Sequence, residues 1–98
     1  MYRINYLEQN NAGDSFSRTM LETNSDIQAY IEYHKAVEKA IDDLCDSFGL
    51  SKDSVYNNPV TDSYEVTRTA TSTRISVIDM DPSNSGYVFI ELTGVRAQ

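Results

Sequence analysis

Cys45 and His34 are the only thiol and the only imidazole in the chain, so any cysteine–histidine nucleophile pair must be theirs. They stand eleven residues apart in a segment whose apolar spacing predicts one continuous helix. At 1.5 Å per residue that separates them by about 16 Å along the axis. A general base must lie within hydrogen-bond reach of the proton it takes, so the pair is excluded within one chain. Cys45 then reads as a small core residue. His34 falls on the apolar stripe with Glu38 one turn later, which reads as a partly buried imidazole bonded to Glu38 or to a backbone carbonyl. The competing reading is a pH switch or general base. One His and one Cys are too few for a zinc site, which takes three or four such ligands. The sequence therefore predicts no enzyme and no cofactor. An acid–base role for His34, Asp79 or Asp81 lacks a nucleophile, a metal set and a phosphate loop.

Oxygen-ligated cations are the remaining metal chemistry. Asp79-Met80-Asp81-Pro82-Ser83-Asn84-Ser85-Gly86 begins like a calcium loop. Its sixth position is Asn84 where glycine is needed, and its twelfth is Ile90 where the bidentate glutamate belongs. A turn held by Asp, Ser and Asn side chains accounts for it better. A second stretch, Asp46 to Tyr56, resembles the junction between the two helices of helix-turn-helix repressors. The resemblance covers about eleven residues and implies a turn at Gly49 with a recognition helix starting at Ser51. The chain departs from that pattern. Asn58-Pro59 ends the second helix within two turns, and Lys52 is its one base against Asp46 and Asp53, where phosphate contact needs clustered Lys and Arg.

Acidic residues gather where a helix disfavours them. Asp42, Asp43 and Asp46 occupy the last turns of the long helix, whose C-terminus already carries partial negative charge. Asp42 and Asp46 are four apart, a like-charge pair that adds to the cost. Residues 26–46 hold six acids and two bases. Solubility is one explanation; a docking surface for a basic partner, formed by Asp42, Asp43 and Asp46 with Glu38, is the functional one. Tyrosine is the other signal, seven of the ten aromatics. Tyr33 at the margin of the stripe, with Tyr87 and Phe89 on the second face of the last strand, read as interface aromatics, because each brings large area with few rotatable bonds. The 50–63 connector or a homodimer could instead cover that sheet face.

The elements that must position these residues follow from periodicity. Tyr2, Ile4 and Tyr6 alternate with Arg3 and Asn5. Phe16, Arg18 and Met20 alternate with Ser17, Thr19 and Leu21 across the turn cluster 10–14, which predicts a hairpin of residues 2–8 with 15–22. Ser25 caps a helix of about six turns, with a stripe of Ile27, Tyr30, Ile31, His34, Val37, Ile41, Leu44, Cys45 and Phe48. Gly49 ends it with a left-handed cap, and Ser51 caps one short further turn. Period two returns from Tyr64, with Tyr64, Val66 and Ala70 on one side and Glu65, Thr67, Thr69, Thr71 and Thr73 on the other. Residues 74–80 and 86–95 are two further runs. Val88, Ile90 and Leu92 share one face of the last run and Tyr87 and Phe89 the other, the mark of a central strand. The fold class is α+β: a single domain over 1–98, a two-layer sandwich in the order β-β-α-β-β-β, with a mostly antiparallel sheet and one long amphipathic helix packed on one face.

Size and charge narrow the partners. The 98 residues carry net charge −7, from 8 Lys and Arg against 15 Asp and Glu. That argues against free nucleic acid and permits docking on a basic protein. A lone cysteine gives no internal disulfide and favours a reducing, cytoplasmic setting. No leader pattern and no apolar run of membrane length is seen, so no membrane partner is expected. A small, acidic, cysteine-poor α+β chain of this length resembles the accessory inhibitors that bacteriophages carry against host defence nucleases, such as anti-CRISPR and anti-restriction proteins. The resemblance implies a basic host protein or nuclease complex as partner, in the host cytoplasm, with Asp42, Asp43 and Asp46 mimicking phosphates. The alternative is a self-associating structural subunit.

Overall fold

In the computed structural model, residues 1–10, 13–78 and 86–94 are described. Their elements run β1 (Tyr2–Asn10), β2 (Ser15–Thr23), α1 (Asp26–Phe48), α2 (Lys52–Asn57), β3 (Tyr64–Arg68), β4 (Ser72–Val77) and β5 (Gly86–Gly94). The five strands form one antiparallel sheet in the order β2-β1-β5-β4-β3. β5 is central, as apolar residues on both of its faces require.

The first hairpin closes through a short loop. Asn10 N–H donates to the Asp14 carbonyl at 3.0 Å and Gly13 N–H to the Asn10 carbonyl at 3.3 Å. Gly13 takes φ +101°, a conformation in which a side chain would be strained. This is a turn followed by a glycine bulge. A second irregularity lies between Ile4 and Asn5, where Ile4 pairs with Leu21 and Asn5 with Thr19, so Met20 is the extra residue. The bulge flips the alternation. Leu21 therefore joins Ile4 on the helix side, instead of lying opposite Phe16 and Arg18 as strict alternation predicts.

α1 begins as expected. Ser25 Oγ accepts the Gln28 N–H at 3.2 Å. Gly49 at φ +65° ends it, with its N–H on the Cys45 carbonyl. The buried face is Ala29, Tyr33, Val37, Ile41, Leu44 and Cys45, packed on Ile4, Ile75, Ile90 and Leu92 of the sheet. Each large side chain buried there contributes about 1.5–3 kcal/mol. The C-terminal half of the expected stripe holds through Cys45, and the N-terminal half is rotated. Ile27 is 70% exposed, Ile31 49% and Tyr30 43%, while Tyr33 is 1% exposed. Tyr33 wins the inward position because its ring fits between α1 and the β3–β4 turn and its hydroxyl finds partners there. That hydroxyl lies 2.9 Å from Thr73 Oγ1 and 3.3 Å from the Thr69 carbonyl.

The break between the first two strands after the helices falls at residues 69–71, earlier than the expected boundary between Thr73 and Arg74. Thr69 Oγ1 accepts from the Thr71 and Ser72 N–H groups and turns the chain. Thr73 then pairs across from Ile90, next along β4 to core residue Ile75, and is buried, opposite to its expected side. α2 folds beside α1, with Val55 in the core, and does not cover the far face of the sheet. The outer edge of β3 is closed by the connector: Val66 N–H donates to the Pro59 carbonyl at 2.7 Å, and Val60 bridges Glu65.

Candidate interaction surface

The acidic end of α1 carries a network that sequence reasoning missed. Glu38 Oε2 accepts from Lys52 Nζ at 2.7 Å and Oε1 from the Tyr56 hydroxyl at 2.8 Å. Asp42 Oδ1 lies 3.1 Å from the same ammonium. Arg68, from β3, reaches within 4.0 Å of Glu38 and stacks over the Tyr56 ring at 5.3 Å. The hydrogen bond from Lys52, helped by Tyr56, holds the Glu38 carboxyl below the usual carboxylate range. The same bonds to Glu38 and Asp42 push the Lys52 ammonium up. Burial, then the bond to Glu38, raises the Tyr56 phenol. The signal available in the sequence was the Gly49 cap, which turns a short capped helix back along α1 and brings Lys52 level with Glu38.

Asp43 is on the other flank. Its carboxylate lies 3.4 Å from Lys39 Nζ, in a pair whose members are 67% and 79% exposed. Asp46 is exposed and makes no hydrogen bond or ion pair among the described residues. The expected cluster of Glu38, Asp42, Asp43 and Asp46 is thus split. Glu38 and Asp42 are held by Lys52, Asp43 is loosely paired, and Asp46 is free. Lys52 is also the only base of α2 and is engaged, so the helix-turn-helix likeness offers no free cation to phosphate.

The aromatic expectations divide too. Tyr33 is buried and is a core residue, not an interface residue; the expectation of an exposed margin is corrected by its fit against Thr69 and Thr73. Tyr87 and Phe89 do lie on the sheet face without a helix, and both are half-buried. Arg74 stacks 4.4 Å from the Tyr87 ring and Gln9 accepts its hydroxyl proton at 2.9 Å, so neighbours in the sheet already cover part of this face.

Cys45 is buried, and His34 is exposed rather than on the core face. Its ring packs edge-on to Tyr33 at 5.6 Å, and Glu38 is committed to Lys52 and Tyr56 rather than to His34. Among the described residues no cluster of His, Cys, Asp or Glu could hold a metal. No described helix is long and apolar enough to cross a membrane. The acid–base candidates Asp79 and Asp81, and the loop 79–85, lie outside the described residues.

One further feature is a cleft of about 960 Å³ between α1 and the β1–β2 hairpin. Ala36, Ala40 and Asp43 line its helix side; Tyr6, Phe16 and Arg18 line its hairpin side. Arg18 lies 5.9 Å from the Tyr6 ring and 6.0 Å from that of Phe16. Burial, and then the neighbouring Glu8 carboxylate, raises the Tyr6 phenol.

Comparison with protein-family models, curated proteins and solved structures finds no match to this chain.

Proposed function

We propose that this protein is a non-catalytic interaction module that docks the acidic C-terminal end of α1 on a basic surface of a partner protein, in the manner of a small inhibitor of a nucleic-acid-handling protein. The observation that carries the reading is Asp46. It sits exposed and unpaired among the described residues, in the last turns of a helix that has no base in its final turn. A carboxylate there is unfavourable by a few tenths of a kcal/mol or more, and no cation among the described residues pairs with it. Asp43 adds a second carboxylate, because an exposed pair with Lys39 is worth little and exchanges readily for a better partner. Glu38 and Asp42 serve differently in this reading. Lys52 fixes their positions and lowers the charge they offer, so the docking charge falls mainly on Asp43 and Asp46.

The test is a pull-down from cells of the source or its host across a salt series, comparing wild type with the Asp43→Asn/Asp46→Asn double variant. The expected result is a basic partner retained at low salt and released as salt rises. The double variant binds it at least tenfold more weakly with a flatter salt dependence. Equal retention by the two proteins would sink the acidic-end mechanism.

A further inference from the structure

The two edges of the sheet are treated differently. The chain closes the β3 edge itself with Pro59 and Val60. At the other edge β2 runs for nine residues with no strand beyond it among the described residues. An open edge of this length, without proline or lysine, is a template for another strand. We propose that β2 is a self-association edge, with Ser15 to Thr19 pairing antiparallel to the same residues of a second copy about a two-fold axis through Ser17.

The backbone fixes which groups are on offer. Asn10 and Asp14 form a hydrogen-bonded pair at the loop. Bonded and non-bonded pairs alternate along an antiparallel ladder. Counting outward from Asn10 and Asp14, Phe16 and Arg18 turn their backbone groups toward β1, while Ser15, Ser17 and Thr19 turn theirs away. The side chains agree: Thr19 Oγ1 bonds Asn5 Oδ1 at 3.3 Å, as the closer side chains of a non-bonded pair allow. Three successive outward positions give a register centred on Ser17, which pairs with its own copy, and Ser15 pairs with Thr19.

That register is self-complementary. Phe16 falls opposite Arg18 of the copy, in non-bonded pairs where side chains approach most closely. Phe16 is 53% exposed, and Arg18 makes no ion pair among the described residues. A guanidinium over an aromatic face is attractive, and the symmetry supplies the contact twice. Charge permits this edge. The chain carries −7, yet β2 holds one base, Arg18, and one acid, Glu22, so like-charge repulsion between the two copies of the strand is small. Phe16 and Arg18 line the open cleft rather than sitting under α1, which leaves room above the joined strands. The bulge at Met20 ends the regular stretch, so pairing stops at a closed dimer instead of extending.

The experiment is sedimentation of the full chain from micromolar to millimolar concentration, for wild type, Ser17→Pro and Arg18→Glu, with circular dichroism to confirm folding. Proline at position 17 removes an outward N–H and no bond to β1. Wild type is expected to move reversibly from 11.1 kDa toward twice that mass. Each variant is expected to weaken dimerisation at least tenfold. A monomer at every concentration overturns the proposal. So does a dimer that folded Arg18→Glu leaves intact, which would move the contact to the Tyr87 and Phe89 face; Arg18→Glu decides the matter if Ser17→Pro fails to fold.

Discussion

Tyr33 is where a single side chain decides the helix face. Among the described residues its hydroxyl is satisfied by Thr73 and the Thr69 carbonyl. Removing that hydroxyl leaves the Thr73 hydroxyl buried without its partner, at a cost of about 1–3 kcal/mol. Tyr33→Phe is therefore expected to lower the unfolding free energy read from urea denaturation by that amount. Tyr33→Phe with Thr73→Val is expected to recover most of it, since both polar groups are then gone. A single variant as stable as wild type would show that the bond contributes nothing. Tyr33 was misplaced from sequence because hydropathy ranks a tyrosine below isoleucine, and its polar partner lies forty residues away. Asp46 was legible for the opposite reason. Its cost follows from position in its own helix, which needs no tertiary knowledge.

Within α1 the same lesson has a direction. The caps at Ser25 and Gly49 are local chemistry and were readable to the residue. The inward face was readable only where the helix lies fully over the sheet, from Val37 to Cys45. Toward its start, Ile27, Tyr30 and Ile31 have the right spacing but stay largely exposed among the described residues. Spacing reports that residues share a face; it does not report what the face meets. Ile31→Ala is expected to change stability by no more than about 0.5 kcal/mol, while Ile41→Ala is expected to cost about 2–5 kcal/mol. Chemical denaturation of the two variants checks this, and a comparable loss at Ile31 would restore it to the core. The missed turn at Thr69 and the bulge at Met20 have a common cause. Both break period two without Gly or Pro, the residues by which irregular backbone is usually recognised.

Across the whole molecule, strand order depends on pairing between distant segments, and only the β1–β2 hairpin and the central place of β5 were legible. The contact between α1, α2 and β3 is likewise non-local, and it converges on one carboxylate. Glu38 joins α1 to Lys52 and Tyr56 of α2 and to Arg68 of β3. Because Lys52 lowers the Glu38 pKa in the folded state, its stabilisation is fully present above the ordinary carboxylate range. It is lost as pH falls through the depressed folded value. Lys52 is raised, so its own contribution persists at neutral pH and disappears only in strong alkali. The pair is thus complete across the neutral range and fails on the acid side. Both side chains are about two-fifths exposed, so solvent screening keeps the effect small. The measurement is the urea midpoint of wild type and Glu38→Gln between neutral pH and about pH 3. Wild type is expected to be the more stable at neutral pH, with the gap closing as acid protonates Glu38. A gap that stays constant with pH would mean that the carboxylate charge does not hold α2 in place.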